Sequence, residues 1–162
     1  MEDFERCFER NYGDIARFCA RRTATAEDAE DAATDVFAIA WRRRDALPAA
    51  PEDRLWLFGI ARRVVANAAR AERRRHRLTE RLKAEPTVGH VEPAGLAQAL
   101  AALGDADREL LLLTGWEGLT PAEIGRVLQR PAALVSRRLY RARKRLAAEL
   151  AGSGTPTPVE PK

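Results

Sequence analysis

Apolar positions along this chain recur every three or four residues, and no segment alternates with the period of two that marks a half-buried strand. Phe4, Phe8, Ile15, Phe18 and Cys19 share one face of a helix expected over about residues 2–22. Thr25-Ala26-Glu27-Asp28 has the form of a capping box and opens a second helix, to about Arg44. Pro48 and Pro51 interrupt residues 45–52 and make them a loop. A third, long helix runs from about Asp53 to the region of Arg81. Residues 85–95, with Pro86, Gly89, Pro93 and Gly95, have linker composition, and the domain boundary is placed there. Four shorter helical stretches follow, about 96–103, 105–115, 121–128 and 132–149. The tail, residues 151–162, has no periodicity and is expected to be disordered. The pattern predicts an all-α chain: two small helical domains, residues 1–84 and 96–150, joined by a flexible linker.

Length and composition agree with two small domains. The chain has 162 residues, 46% of them hydrophobic, enough for a core in each half. It contains no apolar run of about 18 residues, and its start, Met1-Glu2-Asp3-Phe4-Glu5, is acidic where a secretory signal is basic and then apolar. A cytoplasmic protein with no membrane association is expected. Cys7 and Cys19 lie twelve residues apart on one helix, about 18 Å along its axis. That excludes a disulfide between them and favours two small core residues. His76 and His90 are read as surface residues, so neither a metal site nor a cofactor is expected.

A modest net charge of +4 hides a strong alternation. Residues 1–53 carry eight arginines against thirteen acidic residues. Residues 54–78 then hold eight arginines against Glu72 alone, and residues 126–150 hold seven arginines and Lys144 against Glu149 alone. Two basic blocks, each preceded by an acidic one, point to two contacts with a polyanion and two surfaces of another kind.

The second basic block follows a strongly signalled helix start, Thr120-Pro121-Ala122-Glu123, with a Thr N-cap, Pro at the first helical position and Glu at the third. Ile124, Val127 and Leu128 form that helix's apolar face, and Gln129-Arg130-Pro131 ends it. A short helix, a tight turn and a longer basic helix is the layout of a DNA-reading helix-turn-helix. On the longer helix Val135, Leu139, Ala142 and Leu146 fall within roughly 60° of one another. Ala133, Arg137, Tyr140, Arg141 and Lys144 centre on the opposite side, flanked by Arg138, Arg143 and Arg145. Short side chains at Ala132 and Ala133 let the helix approach base edges, and Arg137 and Arg141 are placed for guanine or phosphate. The plain alternative is a solvated arginine-rich helix closing a bundle; the capped helix and short turn before it argue against that.

In the first basic block Leu57, Ala61, Val64, Val65 and Ala68 share one side of the helix. Arg62, Arg63, Arg70, Arg73, Arg74 and Arg77 fall within roughly 120° on the other, beside Trp56 and Asn67. Such a row suits a phosphate backbone. Trp56 is equally suited to a core or to stacking on an exposed base. The alanine-rich apolar face is a poor membrane anchor. On the second helix Glu27, Asp31, Thr34, Asp35 and Ala38 form a stripe opposite Ala29, Ala33, Val36, Phe37 and Ala40. Nucleic acid would repel this stripe, so it is either solvated surface, which composition alone favours, or a docking face for a basic protein.

Four motifs in order resemble the extracytoplasmic-function group of bacterial RNA polymerase sigma factors. They are Asp28-Ala29-Glu30-Asp31 with Asp35-Val36-Phe37 and Ala40-Trp41-Arg42; Trp56-Leu57-Phe58-Gly59-Ile60-Ala61-Arg62; Trp116-Glu117-Gly118-Leu119-Thr120-Pro121-Ala122-Glu123-Ile124-Gly125; and Arg141-Ala142-Arg143-Lys144-Arg145-Leu146. The resemblance covers about residues 4–150. It implies a region 2-like domain that docks on the polymerase β′ coiled coil through Asp28, Asp31, Thr34, Asp35 and Phe37. The same domain would read and help melt the −10 element through Trp56, Arg62, Arg63, Asn67, Arg70, Arg73, Arg74 and Arg77. The resemblance further implies a region 4-like domain that rests on the β flap and reads the −35 element through Ala133, Leu134, Arg137, Arg138, Arg141 and Lys144. It places residues 47–53 where a −10 base would be received, and it admits an anti-sigma factor as a partner. Thr34, Arg63, Asn67, Pro131 and Leu134 depart from residues common in the family. Two other classes fit the charge pattern: a polymerase-independent helix-turn-helix repressor or activator, and an arginine-rich adaptor that binds only protein. An enzyme is the poorest fit, because the sequence offers no metal cluster, nucleophile–base pair or glycine-rich phosphate loop.

Overall fold

The computed structural model describes residues 2–78 and 94–152, and their side chains except at residues 76–78 and 94. Its helices are α1 (Glu2–Ala20), α2 (Ala26–Arg42), α3 (Glu52–Leu78), α4 (Ala94–Ala102), α5 (Asp105–Gly115), α6 (Pro121–Leu128) and α7 (Ala132–Gly152). A short 3-10 turn, Arg44–Ala46, follows α2, and no strand occurs among the described residues. The chain divides into two compact units, residues 1–90 and 91–162. Residues 85–93 of the expected linker and residues 153–162 of the expected tail lie outside the described residues. Ala94 and Gly95, expected in the linker, begin α4, and Ala151 and Gly152, expected in the tail, continue α7.

In the first unit α1, α2 and α3 close on Ile15, Phe18, Cys19, Val36, Ala40, Leu57, Phe58 and Ala61, all buried. Alanines on α2 (Ala29, Ala32, Ala33, Ala40) bring the helices close, and the Phe18 and Phe58 rings meet at 5.3 Å. Each fully buried large side chain contributes about 1.5–3 kcal/mol. The face expected for α1 needs one correction. Cys7 and Asn11 are buried, whereas Phe8 is 38% exposed and joins Tyr12 and Phe37 in an aromatic cluster at the α1–α2 rim. The N-terminal half of α1 turns its buried side toward Asp53 at the start of α3, which leaves Phe8 outside. Ala68, expected on the apolar side of α3, is exposed as well, because no residue described after Val65 is buried on that helix.

Thr25 caps α2 by accepting the Asp28 amide at 3.0 Å. The box is only half formed, since the Asp28 carboxylate takes the Thr25 hydroxyl at 2.7 Å rather than the Thr25 amide. At α6 the longer Glu123 reaches the Thr120 amide at 2.8 Å, while Thr120 accepts the Glu123 amide, and the box is complete. The second unit buries Leu100, Leu103, Leu110, Leu113, Leu119, Ile124, Val127, Val135, Leu139 and Ala142. Arg108 closes the end of α4 by donating to the carbonyls of Leu100, Ala101 and Leu103 at 2.8–2.9 Å. The turn from α6 to α7 passes through Gln129 at φ 54° and presses the Arg130 carbonyl onto Gly125. A Cβ at residue 125 would stand 2.7 Å from that oxygen, so the turn needs glycine there.

Candidate nucleic-acid and partner interfaces

On α3 the guanidinium-bearing residues Arg62, Arg63, Arg70, Arg73 and Arg74 are all exposed. Arg62, Arg63, Arg73 and Arg74 have no hydrogen-bond or ion-pair partner among the described residues. Arg70 donates to the Asn67 side-chain oxygen, so the amide steadies the row. Arg62 to Arg74 span about 18 Å of helix. The Arg77 side chain lies outside the described ones. Two other arginines of the block are engaged elsewhere: Arg75 pairs with Glu72 at 2.6 Å, and Arg54 with Asp14 at 2.6 Å. Trp56 is half-buried, which gives it a place in the packing while leaving an edge open.

On α7 the split read from the sequence is present in space. Val135, Leu139 and Ala142 are buried and Leu146 half-buried, while Ala133, Leu134, Arg137, Arg138, Arg141 and Lys144 are exposed. Arg145, one of the flanking arginines, forms an ion pair with the largely buried Asp107 and is a structural residue. Its partner sits on α5, 38 positions away, a pairing that no local pattern announces. Tyr140, outside the set of contacts that the resemblance implies, is 60% exposed and lines a shallow groove with Ser136, Arg137 and Arg141. Lys144 stands 4.9 Å from its ring centroid, a cation over an aromatic face. On the wheel Tyr140 stands at the edge of the face that carries Ala133, Lys144 and Arg137, which is the signal the sequence offers.

On α2, Glu27, Asp28, Asp31, Thr34 and Asp35 are exposed in one stripe. Phe37, on the apolar side of α2 as its spacing predicts but counted among the docking residues by the resemblance, is 6% exposed and faces Phe8 at 4.7 Å. It can take part in a docking surface only by supporting the aromatic rim, which continues through Phe4 and the exposed Trp41. Burial pushes the thiols of Cys7 and Cys19 up to about 11, the Asp53 charge adding to the effect at Cys7. Both are free and buried, in keeping with core residues. Among the described residues no cluster of His, Cys, Asp or Glu is placed to hold a metal ion, and no helix is long and apolar enough to cross a membrane.

Residues 7–75, which hold the α2 stripe and most of the α3 arginine row, match the family model for Sigma-70 region 2. Residues 94–146, which hold the helix-turn-helix and its basic face, match that for Sigma-70, region 4. The chain belongs to the sigma-70 family of sigma factors. Solved structures share its fold. The sigma factor RpoE in complex with the anti-sigma factor NepR from Bartonella quintana is 22% identical, with a TM-score of 0.77 over 93% of this chain and 98% of that one. CnrH in complex with the cytosolic domain of CnrY is 25% identical, with a TM-score of 0.67 over 94% and 89%. The PhyRSL-NepR complex from Sphingomonas sp. Fr1 is 16% identical, with a TM-score of 0.69 over 97% and 94%. No curated protein sequence matches the chain. In this sigma factor the two basic surfaces thus fall one in each matched region, and the acidic stripe falls in region 2 alone.

Proposed function

We propose that this sigma factor brings the polymerase core to promoters by dividing the work between its two units in the cytoplasm. The first domain, residues 1–84, docks on the β′ coiled coil through the acidic stripe of Asp28, Asp31, Thr34 and Asp35, with the Phe37-supported rim beside it. Its α3 row (Arg62, Arg63, Arg70, Arg73, Arg74 and Arg77, with Asn67) holds the −10 backbone. Trp56 and the loop of residues 47–53 receive a base that leaves the stack. Unstacking costs a few kcal/mol, which backbone contacts offset. The second domain, residues 96–150, rests on the β flap and sets Ala133, Leu134, Arg137, Arg138, Arg141 and Lys144 in the −35 major groove, with Tyr140 added to that set. No chemistry of its own is required. An anti-sigma factor, the class of protein that holds RpoE in the related structure, is a further partner.

One observation carries this reading: two rows of exposed guanidiniums, one on each unit, largely without an acidic partner among the described residues. Run-off transcription with purified bacterial core polymerase on genomic fragments tests it. Discrete transcripts that require the added protein are expected. If the protein instead shifts a DNA fragment tightly by itself and adds no initiation, it is a polymerase-independent regulator.

A further inference from the structure

The loop that leads into α3 is bounded by local backbone bonds at its first end and by an ionic clasp onto α1 at its second. Its first end continues the 3-10 turn, where the Ala46 and Leu47 amides donate to the carbonyls of Arg43 and Arg44 at 2.9 and 3.0 Å. Within it, the Glu52 amide reaches the Ala49 carbonyl at 3.0 Å, and residues 49–51 are exposed. The second end is pinned by charge. Asp53 is 2% exposed, and one of its carboxylate oxygens accepts from Arg10 Nη2 at 2.6 Å and from Asn11 Nδ2 at 3.1 Å. The other accepts the Arg54 amide at 2.9 Å. Asn11 is itself fixed, donating to the Cys7 carbonyl at 2.9 Å. The next residue, Arg54, turns the opposite charge onto α1, with Nε 2.6 Å from Asp14. One turn of α1 thus presents a cation at residue 10 and an anion at residue 14 to an anion and a cation at residues 53 and 54.

Two features separate this clasp from ordinary packing. A buried carboxylate is a poor choice for stability alone, since an apolar side chain of similar volume usually serves as well. Its value lies in direction. A slip of α3 along α1 would set like charges together, so only one register satisfies all four groups. The clasp lies at the junction with the loop, and a misplacement of about 1 Å is enough to spoil a positioned contact.

We infer that the Arg10/Asn11–Asp53 and Asp14–Arg54 clasp fixes the register of the loop of residues 47–51, and that Asp53 and Arg10 are positioning residues for recognition of one −10 base. The inference rests on the proposed reading of that loop as the receiver of an unstacked base. Holoenzyme reconstituted from core polymerase and the full chain is tested on a promoter found by run-off transcription, with every base substituted in turn at each −10 and −35 position. Base preference at a single position typically amounts to about tenfold or more. Leu47→Ala should erase the preference at one −10 position. Arg10→Gln and Asp53→Asn should reduce it to within about threefold at that same position, leave −35 preferences intact, and Arg10→Lys should restore it. Arg10, with its side chain half exposed, is the safer substitution should Asp53→Asn fail to fold. If Leu47→Ala flattens one position and Arg10→Gln leaves it sharp, the clasp proposal is wrong while the loop reading stands. A uniform drop in transcript with all ratios unchanged makes the clasp merely structural and also overturns the proposal. If Leu47→Ala leaves every −10 preference intact, the loop reading itself fails.

Discussion

Helices α3 and α7 are both rich in arginine, and they hold it differently. On α7 Arg137, Arg141 and Lys144 lie opposite a seam of Val135, Leu139, Ala142 and Leu146, so each sits beside a seated turn. Of the exposed α3 row, Arg62 and Arg63 lie in the seated half, whereas Arg70, Arg73 and Arg74 come after Val65, the last buried residue described on that helix. A seated face suits a partner of fixed shape, such as a duplex groove, where a small error in angle removes a base contact. A face on an unseated helix suits backbone contact, which is tolerant of angle and governed by charge. The difference teaches that one residue type in one secondary structure can serve readout or grip according to what stands behind it.

The sharpest way to break this comparison is to remove the seat. Leu139→Ala should cost about 2–5 kcal/mol, because it empties a fully enclosed site on α7. Arg70→Ala, on the unseated part of α3, should change stability by no more than about 0.5 kcal/mol. Chemical denaturation of the full chain measures both, and equal losses would mean that α3 is seated beyond Val65.

Next in size are the effects on DNA. Arg137→Ala should lower transcription from a promoter with the preferred −35 base by about 1–3 kcal/mol, roughly 5- to 150-fold, and relax the preference at that position. Arg73→Ala with Arg74→Ala should weaken all promoters to a similar extent and reduce the magnitude of the salt slope by about 2. Binding of holoenzyme at several salt concentrations separates the two. A base-selective defect from the α3 pair would erase the distinction drawn here.

Much of this division could be read from the chain before any coordinates. The seam of α7, the capped α6 and the arginine row of α3 all follow from a period of 3.6 and local capping chemistry, which depend on near neighbours only. What escaped depended on residues far away. Phe8 has the position of a core residue on the α1 wheel, but the buried side of that half of α1 is set by Asp53, 42 residues beyond Asn11. Arg54 and Arg145 counted as free cations in the sequence and are engaged by Asp14 and Asp107. Charge counts are local; charge partners are tertiary.

Acid should distinguish the units at a smaller scale. Burial alone would raise the carboxyls of Asp53 and Asp14, but Arg10 at the first and Arg54 at the second outweigh it, and both are held below the ordinary range. Lowered values in the folded state mean that their contribution is complete above about pH 5, clear of the unfolded value near 4, and is lost as pH falls through the folded values. Denaturation midpoints read from Trp41 and Trp56 in a Trp116→Phe background should therefore fall between about pH 5 and pH 2. Asp53→Asn should flatten that fall, and parallel curves for the two proteins would show that the clasp adds no acid-sensitive stability.

The smallest effect compares the two N-caps. Thr120 and Thr25 both accept an amide, but only at Thr120 does the acidic partner return a bond to the cap's own amide, because glutamate is one methylene longer than aspartate. Thr120→Ala should cost about 1 kcal/mol and Thr25→Ala less, since it removes one backbone hydrogen bond where the other change disrupts two. Asp28→Glu should then narrow the gap by letting a carboxylate reach the Thr25 amide. Thermal unfolding of the four proteins decides it: if Asp28→Glu gives no gain over the parent chain, side-chain length is not what left the α2 box half formed.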